Sequence, residues 1–360
     1  MHYGILTLPR GISANLFVFL QYIITFKFLS TMKKVSILIP EGPVIASSII
    51  PAFEIFQGVN QYLRSKLQTK ADFFDVELVG LTKESEKHDG IITFKPSKTI
   101  DEVVSTDIIL ITTFSGDIEN AIALNAAYIP WIKDQREKYH TEIASFCVGA
   151  FLLAETNLLD NKTASTHWAS SELFKKRYPQ INLTPEAVIT DDDGICTSGG
   201  AFSSLSLVLY IVEKYCGRET AIWCSKMFEI EFDRNNQNQF VIFNGQKGHD
   251  DHEIKDAQMF IENNYGEKIL VDNLARTFAM SSRNFIRRFK KATMNTPSEY
   301  IQRVKVEAAK KSFESLPENV NEVMHQVGYS DPKAFRDIFK KHTGLSPNDY
   351  KRKYNRINLS

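Results

Sequence analysis

The stretch "FIRRFKKATMNTPSEY" at residues 285–300 returns as "FRDIFKKHTGLSPNDY" at residues 335–350. Phe285, Phe289, Lys290, Lys291, Thr293, Pro297 and Tyr300 recur as Phe335, Phe339, Lys340, Lys341, Thr343, Pro347 and Tyr350, each 50 residues further on. Agreement at one offset over so many positions means one supersecondary unit used twice in tandem. In the first copy, Val271–Phe278 reads as a leading helix and "AMSS" as a turn. Ser281 caps a second helix that turns Phe285 and Phe289 inward at i, i+4. In the second copy, Val320–Val327 leads and Gly328 supplies the turn. Asp331 caps, Pro332 fits the first helical position, and Phe335 and Phe339 pack. The two units fall at about 271–292 and 320–342. Met294 stands where the other copy has Gly344, so the first unit's second helix must end without a glycine.

Packing the phenylalanines inward presents the opposite helix face to solvent. In the first unit that face carries Arg283, Arg287 and Lys290, with Ser282 and Lys291 beside them; in the second it carries Lys333, Arg336 and Lys340. A helix-turn-helix lays its second helix in the major groove, and flanking lysines and arginines neutralise phosphates. A solvated basic face on an ordinary helix pair is the plainer reading. The charge distribution decides against it. The chain has no net charge, yet from Lys255 onward 20 basic residues face 12 acidic ones, against 23 and 31 in the rest. A basic domain of two such units behind an acidic body calls for a polyanion, here double-stranded DNA.

The acidic body reads differently. Short β-rich runs at Val35–Pro40, Phe74–Leu81, Ile108–Thr113 and Glu142–Cys147 are separated by helical patterns such as Ile50–Leu67 and Glu119–Lys138. That alternation predicts a parallel sheet covered on both faces. The expected fold is an α/β doubly wound parallel-sheet domain followed by an all-α domain of two helix-turn-helix units. The 360 residues hold 43% hydrophobic and 24% charged side chains, enough for two globular cores. The expected boundaries are 1–31 as an upstream extension or mis-assigned start, 32–232 as the first domain, 233–254 as a linker and 255–354 as the DNA-binding domain. Residues 11–30 are apolar enough to suggest a signal peptide or anchor. Lys27 interrupts the run, no small-residue cleavage site follows, and "MKKVSILIP" from Met32 reads as a natural opening strand. A cytoplasmic protein without membrane contact is therefore expected. His249, Asp250, Asp251, His252 and Glu253 lie in the polar segment without an outside ligand, so they read as solvated linker, with no metal and no cofactor. Four cysteines without CxxC pairing fit a reducing compartment, and Cys216 and Cys224 fall on helical patterns as packing residues.

"ASFCVGAF" at 144–151 runs strand, sharp turn, helix, with Cys147 at the turn. This is nucleophile-elbow geometry, and a thiol at a helix N-terminus is expected to have a lowered pKa. "TSGGA" at 197–201 brings Ser198 and Gly199 to a second strand-to-helix turn. There they either cradle an anionic group or simply make the turn.

From about 256 to 354, "LARTFAMSSRNFIRRFKKAT", "YIQRVKVEAAKKSF" and "VGYSDPKAFRDIFKKHTGLSPNDYKRKY" resemble the AraC/XylS-type transcriptional regulators. Their DNA-binding domain is two helix-turn-helix units joined by a linker helix. The resemblance implies that Arg283, Arg287 and Lys333 point toward DNA. It also marks Asp337 as a departure, since the family commonly has Arg there. From about 33 to 230, "IASFCVGAFLLAETNLLDNKTASTHW" and "GICTSGGAFSSLSL" resemble the class I glutamine amidotransferase-like domain of the ThiJ/PfpI type, in the subgroup fused to AraC-type regulators. In that superfamily's enzymes a later histidine serves the elbow cysteine, and His167 fits by position. Those enzymes also use an acidic residue after the first strand. Here "GPVIASSIIPAFEIF" offers Ser47 and Ser48 at that place, and Glu41 lies too near the strand end. Cys147 and His167 are thus expected as vestiges, with no catalytic residue. The function expected is a sequence-specific DNA-binding regulator. Its first domain senses a small-molecule effector, with Cys147, His167, Ser198 and Gly199 as pocket residues, or mediates homodimerisation. RNA polymerase is a partner if the protein activates. The competing expectation is a cysteine hydrolase or amidase carrying a DNA-binding tail.

Overall fold

The computed structural model describes residues 32–200, 202–232, 236–315 and 318–355. The apolar stretch 11–30 lies outside the described residues. Among those described, no helix is long and apolar enough to cross a membrane. Two units make up the chain. The first holds the described residues up to His167, Tyr178–Thr184 and those from Val188 to 232; the second holds Trp168–Arg177, Pro185–Ala187 and those from 236 on.

In chain order the elements of the first half are β1 (Lys33–Leu38), α1 (Ile50–Leu67), β2 (Phe74–Gly80), β3 (Ser85–Lys87), β4 (Ile92–Phe94), β5 (Lys98–Thr99), β6 (Ile108–Ile111), α2 (Ile118–Leu124), α3 (Tyr128–Tyr139), β7 (Glu142–Phe146), α4 (Gly149–Ala154), β8 (Thr163–Ala164), α5 (Ser171–Arg177), β9 (Asn182–Leu183), β10 (Ile189–Asp192), β11 (Ile195–Ser198), α6 (Ser203–Cys216) and α7 (Arg218–Met227). The main sheet has seven strands in the order β10-β11-β7-β6-β1-β2-β5. Every pairing is parallel except β10 with β11, so the doubly wound expectation holds with one antiparallel edge. Central β6 is buried along its whole length as the run Ile-Ile-Leu-Ile. Such continuous apolar strands form because both faces are covered. On one face, α1 and α6 bring Ile55, Phe56, Val59, Leu207, Val208 and Ile211 into a core with Ile37, Leu110 and Phe146.

The helical pattern at Glu119–Lys138 is two helices rather than one. Asn125 breaks it: its amide side chain accepts from the Glu41 backbone N–H at 2.8 Å and donates to the Glu41 carbonyl at 3.0 Å. The break also leaves Pro130 in the first turn of α3, where its missing N–H costs no helical hydrogen bond.

The second half contains α8 (His252–Asn263), α9 (Val271–Thr277), α10 (Ser282–Thr293), α11 (Pro297–Ser315), α12 (Val320–Gln326), α13 (Pro332–Thr343) and α14 (Pro347–Tyr354). The repeat in the sequence is a repeat in space. Phe285 packs tilted on Phe289 and Phe289 edge to face on Tyr300 in one core, and Phe335, Phe339 and Tyr350 repeat that arrangement in the next. Thr293 and Thr343 each donate to the carbonyl four residues back, Phe289 at 2.9 Å and Phe339 at 2.8 Å. The residues expected as linker are folded from 236 on: Gln237 is buried, Asn238–Phe240 forms a 3-10 turn, and Asp251 caps α8. Nor are the acidic residues of the 249–253 cluster merely solvated. Asp251 and Glu253 bind Arg288, and among the described residues no group of His, Cys, Asp and Glu is placed to hold a metal.

Lys305, on α11, is buried and donates to the carbonyls of Tyr265 at 2.6 Å, Glu267 at 3.0 Å and Val327 at 2.7 Å. One ammonium thus ties the loop that follows α8 to the C-terminal cap of α12. The same crossing brings Gly266 against Gly328: a Cβ on Gly328, which has φ +73°, would lie 2.5 Å from the Gly266 carbonyl oxygen. Met294 caps α10 in the left-handed region at φ 58°, confirming an end without glycine, and it is exposed. Two substitutions are expected to move stability in opposite directions. Met294→Gly relieves a left-handed non-glycine residue and should raise the helical unit's stability by about 0.5–1 kcal/mol. Gly328→Ala should lower it by roughly 2–4 kcal/mol, because it adds both the strain and the collision. Urea unfolding of the helical unit checks both signs.

Candidate nucleic-acid interface

The turn of each helix pair is built from residues with a stated local reason. Ser281 caps α10 through the Asn284 N–H, and Asp331 caps α13 through the Lys333 N–H at 2.9 Å. The chain leaves α9 through Ala279 at φ 53° and leaves α12 through Gly328 at φ 73°. These two positions are 49 apart, whereas α10 and α13 start 50 apart, so the second turn is one residue longer. Ser282 is not free to contact a ligand unaided: its hydroxyl donates to the Asp272 carboxylate at 2.6 Å and ties the two helices of the first unit together.

Arg283, Ile286, Arg287, Lys290, Lys291 and Met294 line one shallow surface depression along α10. Their spacing is i, i+3, i+4, i+7, i+8, i+11, one stripe of an α-helix. Fifty residues on, the same stripe of α13 is Lys333, Arg336, Asp337, Lys340, Lys341 and Gly344. All of these are exposed except Gly344, which is half-buried. Each stripe carries four cations, and the second adds one carboxylate, Asp337, at the place of Arg287. Arg287 is held by Asn284, whose side-chain oxygen accepts from it at 2.9 Å, and Arg336 donates to the Pro332 carbonyl at 3.1 Å. Ile286 and Met294 belong to this surface and are not evident from charge. The spacing alone places them there. Arg288, by contrast, is a basic residue of the same helix that does not belong. Its guanidinium makes a two-pronged bond to Asp251 at 2.9 and 2.6 Å and reaches Glu253 at 2.8 Å. That hydrogen bonding holds the Asp251 carboxyl below the usual carboxylate range.

The elbow is built as the sequence implies and charged as it does not. Cys147 has φ 55° at the end of β7 and is 3% exposed. Its N–H donates to the Ser198 carbonyl at 3.1 Å, and its carbonyl accepts from Thr166 Oγ1 at 2.9 Å. Gly149 follows because the chain passes against β6: a Cβ there would lie 2.9 Å from the carbonyl oxygens of Ile111 and Thr112. The expected low thiol pKa is not found. Burial pushes the Cys147 thiol up, and hydrogen bonds from Thr113 and the Val148 backbone only partly oppose it. The helix behind it, α4, has six residues, too few to offset the desolvation. Ser48 stands near Thr113, whose N–H donates to the Ser48 hydroxyl at 3.2 Å. Glu41 is turned elsewhere, toward Thr82 at 3.2 Å and Ser85 at 3.3 Å. The groups that hydrogen-bond the thiol are the Thr113 side chain and the Val148 backbone. Burial also pulls the His167 imidazole down. Ser198 Oγ is buried without a partner among the described residues, whereas the Gly199 N–H is committed to the Val188 carbonyl at 2.9 Å and has none to offer an anion. A thiol of this kind reacts slowly at neutral pH. Its alkylation rate by iodoacetamide should keep rising above pH 9.0, the ordinary thiol value, with no plateau below pH 8. A plateau near pH 7 would show the activated thiolate of an enzyme instead.

Residues 274–353 match a helix-turn-helix domain, and residues 59–214 match the DJ-1/PfpI family. The HTH-type transcriptional regulator GbdR of Pseudomonas aeruginosa is 25% identical over 208 residues, which cover 58% of this chain and 56% of that one. The chain thus spans little more than half the length of this curated relative. An HTH-type transcriptional regulator encoded in the cgkA 5' region of Pseudoalteromonas carrageenovora is 34% identical over 101 residues, 28% of this chain and 60% of that one. An AraC family transcriptional regulator from Pseudomonas putida, known from its crystal structure, is 16% identical, covers 54% of this chain and 99% of its own, and superposes with a TM-score of 0.46. The chain carries a DJ-1/PfpI domain followed by an AraC-type helix-turn-helix domain.

Proposed function

We propose that this chain, a DJ-1/PfpI domain followed by an AraC-type helix-turn-helix domain, is a sequence-specific DNA-binding transcriptional regulator. The observation that carries the reading is the pair of matching exposed stripes on α10 and α13, each with four cations. Two recognition helices of one domain enter successive major-groove segments, roughly one helical turn apart. Lys290, Lys291, Lys333, Lys340 and Lys341 meet phosphates, which fixes register without reading sequence. Arg283 and Arg287 read base edges from α10, where a two-pronged arginine suits guanine. In the second unit Arg336 takes that part, and Asp337 turns away bases that present only acceptors. Ser282 supports α10 from behind through Asp272.

The first domain serves as sensor or dimer contact, not as catalyst. A raised thiol pKa and a Glu41 engaged elsewhere support that assignment. Cys147, His167 and Ser198 border the place where an effector would sit. A homodimer, RNA polymerase contact and a cytoplasmic location belong to the same proposal.

Fluorescence anisotropy with labelled duplexes tests it. Arg287→Ala should cost about 1–3 kcal/mol on a selected sequence and relax preference at its own base positions. Lys340→Ala should weaken all sequences alike and reduce the salt slope by about 1. Cys147→Ala should leave both measurements unchanged. An affinity indifferent to salt and to both charge removals would defeat the DNA reading.

A further inference from the structure

The segment before α8 does more than connect. Asn236 lies against Gly344, the left-handed cap that ends α13, where a Cβ would strike the Asn236 side-chain amide. Gln239 then meets α14: Lys353 donates to its side-chain oxygen at 2.8 Å, and the Tyr354 hydroxyl donates to its carbonyl at 3.4 Å. The Val241 carbonyl accepts from the buried Lys310 ammonium at 2.5 Å, and the Phe243 N–H donates to Glu307 at 3.2 Å, both on α11. The Phe243 ring stacks edge to face on Tyr300, with centroids 5.1 Å apart, and lies under the Arg303 guanidinium. Gly245, at φ 70°, passes so close to the Tyr300 hydroxyl that no side chain fits. The Gln246 carbonyl accepts from Gln258 at 2.9 Å, and its side-chain oxygen accepts from Asn295 at 3.2 Å. The segment ends at Asp251, bound to Arg288 on α10. One extended stretch of chain therefore touches the end of one recognition helix, runs along the shared helix α11, and reaches the other recognition helix.

We propose that residues 236–251 are a strap that fixes the mutual orientation of α10 and α13, and so determines which spacing between two DNA boxes the chain accepts. The orientation claim stands on the contacts above; the spacing claim rests on the regulator reading. A tandem reader held only by α11 is free to bend at that helix. A second tie running beside it, seated against Gly344 and bonded to α14 at one end and ion-paired to Arg288 at the other, removes that freedom. The strap is also the stretch of chain that follows the first domain in sequence, which makes it the element through which a change there would alter box spacing.

Two variants of the full chain loosen the strap. Gly245→Val cannot hold its close pass at Tyr300, and Phe243→Ala, the milder change, removes the ring contact and serves if the first fails to fold. Two readouts are taken. Spin labels carried on a non-natural amino acid at positions 291 and 341 report the distance between the helix ends by pulsed electron resonance, without DNA. The wild type should give one narrow distribution and either variant a distribution broadened severalfold. Narrow distributions in both folded variants would overturn the proposal. Affinity is then measured for bipartite duplexes selected with the wild type and lengthened or shortened by one base pair between the boxes. The wild type should lose about tenfold with each change of spacing, equal to 1.4 kcal/mol, while the variants bind the native spacing more weakly and discriminate less than threefold. An unchanged tenfold discrimination in the variants would overturn the spacing claim. Broadened distances in a protein that selects no bipartite duplex would uphold the strap as a lock and remove the regulator reading.

Discussion

Tyr300, Ile301 and Val304 of α11 close one apolar core, and Val306, Ala309 and Phe313 of the same helix close the next. Neither core is large. Each consists of a few helix faces around a repeated pair of phenylalanines and a tyrosine, joined by Phe313 in the second, and a domain of that size buries too little apolar surface to stand easily alone. Sharing α11 is what allows both to fold, and it ties the stability of one recognition helix to that of the other. The buried Lys305, holding the carbonyls of Tyr265, Glu267 and Val327, locks the same junction with charge-assisted hydrogen bonds. An exposed stripe of cations on α10 has use as a sequence reader only if the stripe on α13 is held in a set relation to it. The shared helix joins the two stripes, and the 236–251 segment beside it is proposed to fix that relation.

Much of this is legible in the sequence, for particular reasons. The 50-residue repeat fixed the inward faces, because residues that must fill the same core position recur with the same size. The outward stripes then followed by default from helix period. Parallel strands announced themselves as unbroken apolar runs. What stayed hidden was decided by partners distant in sequence. Asn125 splits a helical pattern because it bonds a backbone segment 84 residues away. Arg288 has the same chemistry as Arg287, one residue before it, and leaves the exposed cationic stripe because Asp251 and Glu253 bind it. The strap has no hydrophobic period at all, so its polar composition reads as linker, although its backbone and amide groups are bonded along α11.

The elbow shows the other side of that lesson. The strand, sharp turn and helix expected around Cys147 are present, and the structure adds that Cys147 itself turns the chain in the left-handed region. The sequence misjudged the electrostatics, because a thiol's pKa depends on how deeply it is buried and on what faces it. Here desolvation dominates, only the Thr113 side chain and the Val148 backbone oppose it, and the six-residue helix behind is short. A strained turn kept without an activated thiol is compatible with a site that holds a molecule without converting it.

The most direct test of the central claim, that two matched helices held by α11 read DNA as one body, is selection of binding sites from a random duplex pool with the full chain at near-physiological salt. The account predicts enrichment of two short boxes in fixed register, about one helical turn apart. A single box, two boxes at freely varying spacing, or retention without any sequence enrichment would contradict it.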